Sequence, residues 1–376
     1  MRRFGRQLPL LLFLLPAVLQ AQHPLTPPFL VNVPDGQMQF LPNVAASSQG
    51  DFAVTWLEEV PGSLYAVHAR RFSAAGAPAT GDLLVTGEAI FFQHAVAMRE
   101  AGSFVVGFIT ESGLTVRIYG PDGALLRETL VSAIGKYPAV AARPDGTFIV
   151  VWDRTGMIYA RVFSEDGLPL SPERTIAAAD LAAPLQAAAG PDRGFVVVWS
   201  RVRAISSNPH LNNFTVFAQR LGPAGAPRGK TITVRAESAN GASSPDVAED
   251  AAGNFLVAWE EYLGGGMWGI LGRRYTAAGA PLSGLLTLER TGDDVPRLAM
   301  DPAGNFVVTW MEHGTPGKVL AQRFTAGGAP FRPVFRADMP PPGVTWAPDV
   351  AGAANGSFVV VWAAGDGVYA RLYRKR

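Results

Sequence analysis

The chain has 376 residues with 32 Lys and Arg against 31 Asp and Glu, and a net charge of +1 gives no basic stripe for nucleic acid. It contains no cysteine, which removes disulfides, thiol nucleophiles and thiolate zinc sites. Hydrophobic residues make up 48 % and charged ones 17 %, a composition that builds a large core rather than a disordered chain.

Residues 1–21 read as a signal peptide. Arg2, Arg3 and Arg6 form its basic end, Leu8 to Leu19 its apolar stretch, and Ala21 a small residue before cleavage. The apolar run is short for a membrane span of about 20 residues, and Pro16 interrupts it. The expectation is an extracytoplasmic (periplasmic or secreted) mature chain with no membrane span. Losing three arginines lowers its net charge from +1 to −2. Residues 22–28 form a short Pro-rich lead-in, and residues 29–376 read as one repeat domain.

From Phe29 onward the chain repeats a single unit. Its clearest part is Gly304-Asn305-Phe306-Val307-Val308-Thr309-Trp310, written seven times and ending at Trp56, Phe108, Trp152, Trp199, Trp259, Trp310 and Trp362. A Phe sits four residues before each of these. Residues 306, 308 and 310 share one face of a strand and 307 and 309 the other, and both faces are apolar or β-branched. The pattern predicts a strand buried on both sides.

Each unit opens near a proline, as in Pro42-Asn43-Val44-Ala45, Pro245-Asp246-Val247-Ala248 and Pro348-Asp349-Val350-Ala351. Proline to closing aromatic is 14 residues in five units, from Pro42 to Trp56 through Pro348 to Trp362, so a rigid hairpin joins the first two strands. In the second unit His94 takes the proline position, and the fourth unit carries one extra residue. A third strand follows with a small residue, Arg and an aromatic, as Ala69-Arg70-Arg71-Phe72 and Gly272-Arg273-Arg274-Tyr275. The repeated Arg reads as structural, its stem on apolar surface and its guanidinium on carbonyls. A Gly-Ala-Pro turn and a short apolar run such as Leu83-Leu84-Val85 complete the unit.

Four antiparallel strands per unit, repeated, predict an all-β fold, a seven-bladed β-propeller with four-stranded antiparallel blades. The seventh unit stops after its third strand at Arg376, and Phe29 to Val33 precede the first unit. The N-terminal strand is therefore expected to close the last blade.

The loops after the second strand vary most, from Trp152 to Ala160 in the third unit to Trp199 to Ala218 in the fourth. In a propeller they share a face with the connections between blades, which makes that face the candidate site. Two residues past the closing aromatic lie Glu58, Arg154, Arg201, Glu261 and Glu312. With Glu260, His313, His210, Tyr262, Trp268 and Trp346 they are the candidate ligand-binding residues, a polarised rim with aromatic walls.

Other motifs carry no chemistry. Gly225-Ala226-Pro227-Arg228-Gly229-Lys230-Thr231 resembles a phosphate loop but runs into a β-rich segment, and Gly264, Gly266 and Gly269 have no helix after them. The five histidines form no H-E-x-x-H pair, there is no G-x-S-x-G elbow, and the Asp-Gly pairs are turns. No metal or cofactor is expected.

The combination P-x-V-A, G-x-F-V-V-x-W and A-x-R-F with a Gly-Ala-Pro turn resembles tandem repeats of secreted and surface bacterial proteins that form propellers. It departs from sialidases in having no Ser-x-Asp-x-Gly-x-Thr-Trp box, and it lacks a Trp-Asp ending and a kelch double glycine. The resemblance implies the fold and export and names no catalytic residue. The expected function is a monomeric, non-enzymatic propeller that binds a protein or glycan partner at the variable-loop face. The alternative is a carbohydrate-active hydrolase or lyase using Glu58, Glu261 and Glu312.

Overall fold

A computed structural model describes residues 24–375 apart from 61–63, 180–183, 191–193, 204–212, 239–240, 291–294, 313, 315–316, 339–344 and 366. Side chains 213, 237–238 and 345–346 are likewise not described. The predicted signal peptide lies outside the described residues, as do His210, His313 and the side chain of Trp346.

The described residues form seven four-stranded antiparallel sheets. Blade one comprises Gln39–Ala46, Phe52–Val60, Leu64–Phe72 and Leu83–Ala89, and blades two to six repeat that order. Each inner strand touches the inner strands of both neighbouring blades, and the first, Gln39–Ala46, touches the last, Thr345–Gly352. The chain is thus a closed seven-bladed β-propeller. No helix among the described residues is long and apolar enough to cross a membrane.

Blade seven is built from both ends of the chain. Its inner three strands are Thr345–Gly352, Phe358–Ala364 and Gly367–Tyr373, and its outer strand is Phe29–Leu30, paired Phe29 to Ala370. The strand is shorter than the Phe29 to Val33 expected. Past Leu30 the Val31 amide still donates to the Val368 carbonyl at 2.7 Å, but Asn32 accepts the Val368 amide with its side chain at 2.8 Å. Val33 donates instead to Asp82 of blade one at 2.7 Å. The segment is pulled off the sheet edge because it must cross to the next blade.

The double-sided burial of the second strand has a direct cause. Phe306, Val308 and Trp310 pack on Leu256, Ala258, Ile270 and Leu288 of blade five, while Val307 faces Phe358, Val360 and Trp362 of blade seven. The same holds round the ring, so the closing aromatic of every blade packs on the blade before it, with Trp56 meeting Val359 and Val361 of blade seven. In every blade but the fourth, where Phe195 meets Leu221, the Phe four residues earlier stacks in register on the third-strand aromatic, at 5.0 Å for Phe52–Phe72 and 4.9 Å for Phe306–Phe324. The spacing of two sequence motifs is therefore one ring-on-ring contact.

The hairpin joining the first two strands needs a left-handed residue. Gly50, Gly102, Gly146, Gly253, Gly304 and Gly356 fill that position, with φ between 77° and 92°. The third-strand arginines act as the sequence implied. Arg220 reaches the Ala278 carbonyl at 2.7 Å and Arg71 the Pro121 carbonyl at 3.3 Å, each in the turn of the next blade. Arg274 makes the corresponding bond to Ala326.

Candidate functional site

The rim charges are held by partners. Glu58 accepts Gln39 Nε2 at 2.7 Å and lies 3.4 Å from His68 Nε2. Glu312 pairs with Lys318 across the same hairpin. Arg154 forms a fork with Glu173, one bond at 3.1 Å, and lies 3.8 Å over the Tyr159 ring. It also lines a hollow of about 460 Å³ between blades two and three. Arg201 is exposed and sits 5.0 Å over the Phe217 ring of its own blade.

Glu261 is 2 % exposed and faces inward. It accepts Trp259 Nε1 at 2.9 Å and takes Arg235 in a bidentate pair, with Nε at 2.8 Å from Oε2. Arg235 lies on the long outer strand of blade four, Pro227–Ser238, so this pair joins blade four to blade five. Arg235 makes this contact because the 12-residue outer strand carries it to the level of Glu261, while Arg201 lies over Phe217 of its own blade.

Glu260 accepts Ser243 Oγ at 2.5 Å, Ser244 Oγ at 2.9 Å and the Val295 amide at 3.1 Å. It clamps the starts of the inner strands of blades five and six. Tyr262 takes the Gly266 amide on its hydroxyl at 2.8 Å, with Trp268 edge-on at 5.6 Å. A Cβ on Gly241 would stand 3.1 Å from the Trp268 ring, so the rings wall the connection from blade four.

A second concavity is the central channel. A cavity of about 460 Å³ is lined by the first residues of all seven inner strands, on the face shared by the variable loops and the inter-blade connections. The strands start with a strained residue. Leu41, Tyr137, Ser244, Val295 and Ala347 have φ between 40° and 53°, and each precedes a proline. Proline offers no amide to the ladder, and the register breaks into a bulge there, as between Ser243 and Asp246. Because Tyr137 leads only to Ala139 in blade three, the strain belongs to the scaffold.

The bulge turns the residue after proline toward the next blade. Asp246 of blade five accepts Val247 N at 2.8 Å and Leu298 N of blade six at 2.7 Å. Asp349 of blade seven accepts Val350 N at 2.9 Å and Val44 N of blade one at 2.8 Å. Asn43 meets His94 Nε2 of blade two at 3.0 Å. Between the two carboxylates, on blade six, stands Arg297, with Nε 3.8 Å from Asp349 and one terminal nitrogen 3.3 Å from the Pro296 carbonyl.

Burial sets the protonation of these groups. It holds His94 down to about 4, so the ring is neutral. Burial raises Asp246, and it pushes Asp349 up to about 6, in both cases against the pull of Arg297. The folded protein then binds a proton at Asp349 that the unfolded chain releases near 3.8. The stability contributed by this group is full below pH of about 4 and is lost as pH rises through about 6. In denaturant titrations across that window, wild type is expected to lose roughly 2–3 kcal/mol relative to Asp349→Asn. A constant gap between the two proteins would show that Asp349 titrates normally.

Asp246, Arg297 and Asp349 were not among the residues singled out in the sequence. Their signal was the position after proline, which is charged or amide in blades one, five, six and seven but Ala139 in blade three. Among the described residues no group of three or more His, Asp or Glu could hold a metal ion.

No family model matches the chain, and no curated protein matches it. Solved structures do share its fold. A protein of unknown function from Dyadobacter fermentans is 10 % identical, covering 95 % of this chain and 99 % of its own, with a TM-score of 0.59. An ulvan lyase, one of the polysaccharide lyases, solved with a bound saccharide, is 9 % identical over 90 % of this chain and 95 % of its own, with a TM-score of 0.60. A Hadza microbial sialidase is 10 % identical over 90 % of this chain and 66 % of its own, at 0.51. At such identities the likeness is one of fold.

Proposed function

We propose that this is an extracytoplasmic binding propeller, non-enzymatic, which engages a protein or glycan partner on the face carrying the variable loops. The observation that carries the reading is the channel mouth, where a cavity of about 460 Å³ walled by all seven blades opens among those loops. Its size lies in the range of small-ligand sites, and polar groups converge on it. The same fold carries a polysaccharide lyase and a sialidase, so the alternative is a carbohydrate-active hydrolase or lyase. Against it, Glu58, Glu261 and Glu312 are each engaged by a donor or cation, and Glu261 is buried beneath Arg235. Acid–base work needs a carboxylate that faces substrate.

The test uses the rim of blade five. Tyr262→Ala with Trp268→Ala, checked for an unchanged melting transition, is expected to lose interactions that the wild type shows on a glycan array or in cross-linking to envelope proteins. If the folded variant keeps them all, this rim is not the contact surface.

A further inference from the structure

The channel mouth has two unlike walls. On one side, blades five to seven present carboxylate, guanidinium and carboxylate in order, from Asp246, Arg297 and Asp349. Asp246 and Asp349 are fixed by amides on both oxygens, and Arg297 lines the cavity with one bond from a terminal nitrogen to a carbonyl. Acceptors and donors therefore alternate along this wall, each two residues past a left-handed residue, Ser244, Val295 or Ala347.

Across the ring, blades one to three contribute Leu41, Phe92 and Tyr137 to the same cavity. Phe92 is 55 % exposed, and its ring stands 4.4 Å from Tyr65 and 6.0 Å from Phe40 in an aromatic group at the rim. A pocket that is polar on one side and aromatic on the other matches a ligand with the same division.

We propose that the channel mouth is a saccharide site that takes one neutral pyranose, hydroxyls toward Asp246, Arg297 and Asp349 and its C–H face toward Phe92. This rests on the reading that the loop face is the binding face. Neighbouring hydroxyls of a sugar both donate and accept, so a pair of them can bridge a carboxylate and a guanidinium side by side. A fully anionic ligand meets two carboxylates beside one guanidinium, and a cation meets Arg297 between them. A neutral ring is opposed by neither. The cavity of about 460 Å³ admits one or two sugar units and no folded partner.

The experiment is saturation-transfer NMR and titration of the mature chain with methyl glycosides of glucose, galactose, mannose and rhamnose. Glucuronic acid and glucosamine serve as charged controls. The expected result is binding of at least one neutral glycoside, weakened tenfold or more by Arg297→Gln and by Phe92→Ala. Phe92 is exposed and outside the inner network, so that variant keeps the test decisive if Arg297→Gln does not fold. Trisaccharides of the bound sugar separate the sources: tighter binding of the longer chain indicates a glycan end, and equal binding a single sugar. Silence toward every neutral glycoside, a preference for the charged controls, or binding indifferent to both variants overturns the proposal. If glycosides fail while partner binding still depends on Tyr262 and Trp268, the channel site falls and the loop-face reading stands.

Discussion

Replacing Trp310 with alanine is expected to cost about 3–5 kcal/mol, read as a lower midpoint in guanidinium unfolding. The side chain is 1 % exposed and fills the seam between blades five and six against Leu256, Ala258 and Ile270. Both sides of that seam are sheets held by their own ladders, so neither can collapse into the space left behind. The loss then includes the cavity as well as the transferred apolar surface. Trp310→Phe should recover most of it, since a ring still spans the seam. A midpoint unchanged in the alanine variant would place the indole outside the packed seam.

Deleting Phe29 to Val33 is expected to abolish cooperative unfolding or to leave the protein aggregating. The deletion strips blade seven of its outer strand and exposes the free edge of Gly367–Tyr373. It also removes the Val31 carbonyl that accepts Arg70 at 2.8 Å and the Val33 amide held by Asp82, two ties from blade seven to blade one. Sedimentation and calorimetry of the truncated chain check this. A monomer that melts in one transition at the wild-type temperature would mean that the ring holds without the exchanged strand.

Most of the scaffold was legible because its determinants are local and repeated seven times. The alternation in Phe306-Val307-Val308-Thr309-Trp310 gives burial on both faces, and the fixed interval from proline gives the hairpin. The site was less legible, because what decides a charged side chain's role is its partner across a blade boundary. Glu261 looks like an exposed rim acid in sequence and is buried beneath Arg235 of another blade. Asp246 looks like one more residue of a P-x-V-A run and bonds an amide of the following blade. Residue type at a repeat position predicts the strand, and only the ring closure fixes which blade it faces.

The composite seventh blade also sets how the molecule forms. Phe29 must find Ala370, a partner at the other end of the chain, and Asp349 must find Val44 before the channel is sealed. Contacts this distant in sequence slow folding, because the chain must be looped before they give any return. The ring therefore cannot close until the Gly367–Tyr373 strand is in place to receive Phe29. Fusing a bulky domain directly before Pro24 places it beside the C-terminal strand, since Pro24 bridges Tyr373. Refolding of such a fusion is expected to slow at this last docking step while the six preceding blades assemble as before.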